Sequence, residues 1–249
     1  SAIRPGYDRD RKGQRPMKLD NPVFCALDTT DIDRALALAR SLKGSVGGAK
    51  IGMEFFNAHG HAGCRAVAET GLPIFLDLKL HDIPNTVAGG LRAVLSLKPA
   101  IINVHAAGGS AMMRAASDAA KEAGDDRPLV IGVTVLTSLD AADLAETGVK
   151  GSPSDQVRRL ASLAASAGLD GVVCSAHEIE MLRGDLGRDF KLIVPGIRPT
   201  GGDIADQKRV MTPAQALALG ADVLVIGRPI TAAGDPRAAA EEIGRSLAA

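Results

Sequence analysis

Three charged residues lie within the stretch LDLKLHDIPNT, and their types and spacing suit proton chemistry. Asp77 and Lys79 are two residues apart at the end of an apolar run, so on a β-strand their side chains point to the same side. A lysine is a cation that can also deliver a proton, and flanking carboxylates keep it charged and oriented. Asp82 follows the strand, where Pro84 favours a turn, so its side chain can point elsewhere, including toward another subunit.

Two interpretations of these charges compete. With Lys50, which ends an earlier apolar run, the two acids and two lysines form a neutral set that a structural ion-pair network would explain. Buried ion pairs, however, stabilise poorly compared with apolar packing. A fixed carboxylate at about 4 Å would also repel a substrate carboxylate by roughly 4 kcal/mol at an effective dielectric near 20, and this repulsion disappears when the group leaves as CO₂. The pattern therefore favours a functional role for these charges, and loss of CO₂ from a bound acid is one reaction that they could promote.

A second group of residues is suited to binding an anion. The segment VLVIGRPI ends a strand with Gly227 and Arg228, and an open backbone N–H beside a planar guanidinium suits a phosphate. The polar connection 198–209 carries Arg198 and Gln207 at its two ends, and we interpret it as a lid that closes over the phosphate. The alternative is an ordinary surface loop, with the strand-end arginine serving as a surface ion-pair partner.

The elements that must position these residues follow an α/β pattern. From Asn21 onward, short β-branched runs alternate with Ala- and Leu-rich segments of helical period, which is typical of a parallel sheet covered by helices. The eight predicted strands are 22–27, 46–51, 73–79, 100–105, 129–135, 171–175, 191–196 and 222–227. We therefore predict a flexible N-terminal arm, residues 1–20, and a single (β/α)8 TIM barrel over residues 21–249. An open doubly wound sheet is the alternative, but the first strand is followed by LDTTD rather than a glycine-rich dinucleotide turn.

Predicted helices cover residues 32–42, 87–97, 154–167 and 213–219. The last has its own boundary signals, which are Thr212 as N-cap, Pro213 in the first turn, Gln215 for a capping box and Gly220 as the stop. Chemistry in such a barrel concentrates where the strands end, at their carboxyl termini. The polar residues found there are Asp28, Lys50, Asp77, Lys79, His105, Thr137, Ser138, Ser175, Arg198 and Arg228, and Gly227 precedes the last of them.

Composition limits the classes of partner. Lys plus Arg and Asp plus Glu both number 29 among 249 residues, so no net charge attracts nucleic acid or an anionic membrane. Cys25, Cys64 and Cys174 lack metal-ligand spacing and predict reduced thiols in a cytoplasmic protein. The longest apolar runs reach about half the length of a bilayer span. We expect a small-molecule partner, with no zinc site, disulfide framework or membrane segment.

The ordered motifs resemble the orotidine 5'-monophosphate decarboxylase family from about Pro22 to the C-terminus. The most specific motif is DLKLHDIPNT, residues 77–86. It is supported in order by ALD ending at Asp28, Lys50, NVHAAGG from Asn103, VTVLTS from Val133, PGIRP from Pro195, DQKR from Asp206 and VIGRP from Val225. The resemblance implies decarboxylation of orotidine 5'-monophosphate to uridine 5'-monophosphate in de novo pyrimidine synthesis, without a metal or organic cofactor.

The same resemblance implies roles for individual residues. Lys79 would protonate the C6 carbanion within an array of Lys50, Asp77, Lys79 and Asp82. The active unit would be a homodimer in which Asp82, Ile83 and Thr86 reach the partner's site. Among the implied substrate-binding residues, Asp28 and Lys50 would bind the ribose hydroxyls, and Asp77 would act within the array. Thr137 and Ser138 would line the ribose and base, with Ser138 at the pyrimidine edge. The phosphate would be bound by Arg198, Gln207, Gly227 and Arg228.

Two other functions stay open on the sequence. A Mg²⁺-dependent phosphosugar decarboxylase or aldolase of the same barrel type would need a metal-coordinating acid where this chain has the paired Lys–Asp array. A noncatalytic nucleotide-binding barrel would keep Gln207 and Arg228 but would have no need of Lys79 between two acids.

Overall fold

The computed structural model describes residues 21–198 and 211–247. Within them, eight parallel strands pair in chain order, and the last pairs with the first to close a barrel. The strands are β1 (Val23–Ala26), β2 (Gly48–Gly52), β3 (Ile74–Leu80), β4 (Ile101–His105), β5 (Leu129–Val133), β6 (Gly171–Val173), β7 (Lys191–Pro195) and β8 (Val223–Ile226). The predicted (β/α)8 barrel is confirmed.

Helices separate the strands and cover the outside of the barrel. They are α1 (Ile32–Leu42), α2 (Met53–Ala68), α3 (Pro84–Val94), α4 (Gly109–Lys121), α5 (Ala141–Glu146), α6 (Pro153–Ser166), α7 (Ile179–Leu186), α8 (Pro213–Leu219), α9 (Arg228–Thr231) and α10 (Pro236–Leu247). No helix among the described residues is long and apolar enough to cross a bilayer. The predicted arm, residues 1–20, and residues 199–209 of the predicted lid lie outside the described residues.

Helix ends follow local chemistry closely. The α8 prediction is confirmed, because Thr212 Oγ1 accepts from the Gln215 N–H, Gln215 Oε1 accepts from the Thr212 N–H, and Gly220 ends the helix at φ 113°. The helix predicted over residues 87–97 corresponds to α3, which begins three residues earlier and ends at Val94. It begins at Pro84, because proline is accommodated in the first turn, where its missing N–H has no helical partner.

Two apolar layers keep the barrel closed. The interior is filled by side chains such as Phe24, Phe75 and Ile101, which alternate along the strands with residues facing the helices. Ile74 and Leu76 belong to the outer layer, as the period of β3 predicts. The phenylalanine between them is inside, so the next inward positions on this strand belong to Asp77 and Lys79.

Ion pairs at the opposite end of the barrel serve the fold. Asp222, just before β8, pairs with Arg183 and Lys191 and accepts a hydrogen bond from the Leu192 N–H of β7. These bonds connect the starts of neighbouring strands. In this fold, the amino-terminal face of the barrel contributes to stability, whereas the opposite face carries the active site.

Candidate active site

Four charged side chains form one alternating array at the mouth of the barrel. Lys50 Nζ lies 3.1 Å from Asp28 Oδ1 and 3.2 Å from Asp77 Oδ2, and Lys79 Nζ lies 2.6 Å from Asp77 Oδ1. Lys50 lies on β2, Asp77 and Lys79 lie on the adjacent β3, and Asp28 follows β1 on the other side of β2. The Lys50 side chain is 10% exposed and that of Asp28 is 53% exposed, so the array runs from the solvent into the barrel.

Asp77 is the centre of this array. Burial alone would raise the pKa of its carboxyl, but the charge of Lys50 and the hydrogen bonds from Lys79 and Asn103 outweigh burial and hold the pKa below its ordinary value. Its ionised form therefore adds stability that is present above about pH 4 and is lost as the pH falls through the lowered pKa. At neutral pH Asp77 is a fixed negative charge.

The backbone at Lys79 departs from the regular strand that the sequence predicts. Its φ is 50°, in the left-handed region that costs an ordinary residue about 1–2 kcal/mol. The pairing of β3 with β4 moves from Leu76 opposite Ile102 to Leu80 opposite Val104, which is four steps on one strand against two on the other. The extra residues form a bulge, and such bulges re-aim side chains next to active sites.

An apolar wall faces the array across the pocket. Val133, Val173, Ile193 and Val225, from the four strands β5 to β8, line the same pocket as Lys50, Asp77 and Lys79. Low polarity around the lysines and Asp77 strengthens every charge interaction made there. The pocket is therefore suited to an organic group with an apolar side toward the wall and a charged end near the array.

The turn after β5 brings one predicted residue to the pocket and leaves another outside its lining. Thr137 lines the pocket. Ser138 is the next residue and is exposed in the same turn. Their placement at the mouth agrees with the predicted strand end, while the contact of Ser138 with a pyrimidine edge stays a prediction.

Three of the predicted phosphate residues, Arg198, Gly227 and Arg228, follow β7 and β8. Gly227 precedes α9 and its carbonyl accepts from the N–H groups of Ile230 and Thr231, while Arg228 is exposed. Arg198 is partly buried after β7, and its N–H donates to the Met211 carbonyl at 3.4 Å. Both strands also contribute to the pocket, so these arginines follow strands that line it. Gln207 lies outside the described residues.

The predicted partner-facing residues do not join the array of their own chain. Asp82 is exposed, accepts a hydrogen bond from the Ile83 N–H at 2.6 Å, and forms no ion pair within the described ranges. Ile83 is 66% exposed, and Thr86 is exposed in the first turn of α3. Of the four predicted array members, one chain thus brings together Lys50, Asp77 and Lys79, and adds Asp28.

Two residues at the site were not singled out as functional from the sequence. Asn103, on β4, is fully buried and bonds to both Asp77 and Lys79. At Gly52, a methyl group would lie 3.1 Å from Asp28 Oδ1 and 3.1 Å from Lys50 Nζ, so glycine leaves room for this ion pair. A polar residue at an inward strand position was the available signal for Asn103, whereas nothing local distinguished the glycine.

His105 is the last residue of β4, at the end of the strand that lies next to the array. Its Nδ1 accepts from the Ala107 N–H at 3.3 Å, and its ring stacks on His81 with the ring centres 5.2 Å apart. Burial, followed by the nearby His81 and Lys79, lowers the pKa of His105. The neutral ring therefore serves as a hydrogen-bonded cap next to the array.

The fold and the site together define a class, the (β/α)8-barrel proteins that bind a small anionic molecule at the carboxyl ends of the strands. The model of the family described as "Orotidine 5'-phosphate decarboxylase / HUMPS family" matches residues 21–243. The chain belongs to this family, as the resemblance of its motifs predicted.

Individual relatives agree with the family match. The orotidine 5'-phosphate decarboxylase of Rhodospirillum rubrum is 59% identical over 232 residues, covering 91% of this chain and 94% of that protein. The protein of the same name from Paramagnetospirillum magneticum is 55% identical, with 91% and 98% covered. The crystal structure of orotidine 5'-phosphate decarboxylase from Lactobacillus acidophilus has a TM-score of 0.82 at 37% identity, covering 92% of this chain and 100% of that chain.

Proposed function

We propose that this chain is a carboxy-lyase that converts orotidine 5'-monophosphate to uridine 5'-monophosphate and CO₂ in pyrimidine synthesis. The observation that carries the proposal is the alternating array, in which Lys50 contacts both Asp28 and Asp77, and Asp77 also contacts Lys79. Relatives that are more than half identical to the chain are named for this decarboxylase.

The array can drive the loss of a carboxylate from both sides of the reaction. In the bound substrate, the ionised Asp77 would repel the substrate carboxylate by roughly 4 kcal/mol at about 4 Å, and the repulsion ends when neutral CO₂ forms. The C–C bond breaks with its electron pair left on C6. The ammonium of Lys79 stabilises that carbanion, then transfers a proton to it and becomes an amine that regains a proton from water.

Lys79 is oriented for this task by the charges around it. Asp77 Oδ1 accepts a hydrogen bond from Lys79 Nζ at 2.6 Å, while the other carboxylate oxygen of Asp77 faces Lys50. Because both carboxylate oxygens of Asp77 are engaged by lysines, the charges are held by one another, and charge that develops at C6 would meet a fixed ammonium. The geometry supports Lys79 as the proton donor.

The binding roles proposed here are those that the resemblance to the orotidine 5'-monophosphate decarboxylase family implies. We assign the ribose hydroxyls to Asp28 and Lys50, and the ribose and base to Thr137 and Ser138. The phosphate is assigned to Gly227 and Arg228 after β8, together with Arg198 and Gln207. A phosphate at this end of β7 and β8 matches the rim position where many barrels bind one.

A spectrophotometric assay tests the function directly. The purified protein, with excess EDTA present, is expected to consume orotidine 5'-monophosphate, followed as loss of its ultraviolet absorbance. In a Mg²⁺-dependent phosphosugar enzyme, chelation would stop turnover. Lys50 lies between Asp28 and Asp77, so a metal cation bound by these two carboxylates would be repelled by the Lys50 ammonium. Activity abolished by EDTA, or turnover of a phosphosugar alone, would reject the proposal.

The complete site is proposed to form in a homodimer, with Asp82 of each chain entering the partner's site. Asp82 is exposed at the rim and makes no ion pair within the described part of its own chain. The adjacent Ile83 is a large apolar side chain at 66% exposure, and Leu136 and Leu139 on another rim loop are also exposed. Burying such side chains against a second copy would be favourable.

Mixing two inactive variants tests the shared site. If Asp82 acts across the interface, Asp82→Ala and Lys79→Ala chains that exchange subunits at equal amounts should regain about one quarter of the wild-type activity. Half of the dimers are then mixed, and each mixed dimer has one intact site. Activity is measured after incubation of the mixture.

The matched control pairs Lys79→Ala with Asp77→Ala, which alters two residues of the same strand. These variants should not complement each other, because every site in a mixed dimer lacks one of the two groups. Failure of the Asp82→Ala mixture to exceed this control, while subunit exchange is detected with labelled chains, would rule out the shared site.

A cytoplasmic location stays a prediction. Its support is that Cys25, Cys64 and Cys174 are free and buried thiols, the form that a reducing compartment maintains.

A further inference from the structure

Asn103 connects the two central groups of the array through one buried amide. Its Oδ1 accepts from the backbone N–H of Lys79 at 2.7 Å, and its Nδ2 donates to Asp77 Oδ1 at 2.7 Å. The residue is 0% exposed, on β4 beside the bulge of β3. The amide orientation follows from chemistry, because a backbone N–H can only donate and an ionised carboxylate can only accept.

The bulge explains why an amide is needed at this position. Between Leu76 and Leu80 the regular pairing of β3 with β4 is interrupted, so the Lys79 N–H is paired by a side chain instead of a strand carbonyl. Lys79 also adopts the left-handed conformation, φ 50°, which persists only where its surroundings hold it. The Asn103 side chain bonds directly to this peptide and so helps to hold it.

One carboxylate oxygen of Asp77 accepts hydrogen bonds from both Lys79 and Asn103. Asp77 Oδ1 receives Lys79 Nζ at 2.6 Å and Asn103 Nδ2 at 2.7 Å, while Asp77 Oδ2 faces Lys50. The side chain that fixes the lysine backbone thus also fixes the acceptor of the lysine ammonium. A shift of either end would change where the proton points relative to the substrate.

We propose that Asn103 is a positioning residue for the decarboxylation, holding the Lys79 backbone in its bulged conformation and the Asp77 carboxylate in register so that the Lys79 ammonium points at the reacting carbon. The inference rests on the proposed function and deepens it. Asn103 acts through its two neighbours and does not itself need to touch the substrate.

The first test is Asn103→Ala. We expect kcat to fall by about 10²-fold, the usual effect of misplacing a catalytic group by about 1 Å, while KM and the affinity for uridine 5'-monophosphate change by less than about threefold. Ser117→Ala is the matched control, because it removes a buried side chain whose hydroxyl donates to the Gly168 carbonyl on the outside of the barrel. Its kcat should equal that of the wild type.

The second test, Asn103→Asp, keeps the size of the side chain and makes its bonding depend on pH. A protonated acid accepts from the Lys79 N–H and donates to Asp77, whereas the ionised acid loses the donor and repels Asp77. The ratio of its kcat to that of the wild type should therefore rise as the pH falls. The wild-type profile is the reference for the titratable groups present in both proteins, which are Lys50, Asp77, Lys79, His81 and His105 around this position; β5, on the other side of β4, carries no charged residue.

The outcomes separate the inference from the function on which it rests. Wild-type protein without orotidine 5'-monophosphate decarboxylation would refute the function itself. With an active wild type, unchanged kcat in Asn103→Ala, or a rise in KM alone, would overturn the inference. If Asn103→Ala fails to fold, the Asn103→Asp ratio decides, and a ratio independent of pH would count against positioning.

Discussion

Replacing Lys79 by alanine is expected to lower kcat by about 10⁴-fold or more while leaving the affinity for uridine 5'-monophosphate within about tenfold of the wild type. Removing a general acid alone costs up to about 10⁴-fold, and the same ammonium also stabilises the charge that develops at C6. The pocket wall and the phosphate residues are untouched by the change, so binding should largely persist. Single-turnover measurements with orotidine 5'-monophosphate, alongside titration with the product, separate the two effects.

Lys98→Ala is a closely matched control for this experiment. Lys98 is also a lysine in the left-handed conformation, with φ 48°, but its ammonium pairs with Asp126 on the surface, where its side chain is 70% exposed. Its removal should leave kcat unchanged. A Lys79→Ala enzyme that retained turnover within about tenfold of the wild type would remove the basis for Lys79 as proton donor.

Arg228→Ala is expected to have the next largest effect, through the phosphate rather than the reacting carbon. A charge-assisted hydrogen bond contributes about 1.5–3 kcal/mol, so losing a bidentate guanidinium should lower kcat/KM on orotidine 5'-monophosphate by about 10²- to 10³-fold. Binding energy from the phosphate also supports catalysis at the distant carbon, so kcat falls together with the affinity. Steady-state kinetics at fixed ionic strength measure both.

The phosphate-free nucleoside orotidine shows whether this arginine acts where we assign it. With no phosphate to bind, Arg228→Ala and the wild type should process orotidine with equal kcat/KM. Arg237→Ala removes an exposed arginine that pairs with Glu241 on α10, and it should match the wild type on both substrates. An equal loss on orotidine and on its phosphate would show that Arg228 acts on the fold or on the base instead.

Most of the architecture was predictable because its signals are local. The eight apolar runs predicted the eight strands to within two residues at each end, and α1 and α8 were predicted with their observed bounds. Spacing along a strand likewise predicted that Asp77 and Lys79 share a side, and they do, with Nζ and Oδ1 2.6 Å apart. Each of these features depends on neighbours a few residues away.

The internal connections of the site were not predictable in the same way. A regular strand predicts an extended Lys79, whereas its φ is 50°. The cause is a bulge, a mismatch in the pairing of β3 with β4. The side chain that accepts a hydrogen bond from the Lys79 N–H is that of Asn103, which lies 24 residues after Lys79 in the chain. The room that Gly52 leaves for Asp28 and Lys50 also exists only once β1 and β2 are adjacent.

The sequence by itself determined the alternation of strands and helices, the residues that end each strand, and the family to which the chain belongs. Only the tertiary structure decided that Asp28 joins the array, that Asp82 stays outside it within one chain, and that Asn103 bridges Asp77 and Lys79. Hydrophobic period and helix capping act over a few residues, so they can be read along the chain. Hydrogen bonds between strands depend on the register that barrel closure imposes, and that register involves the whole fold.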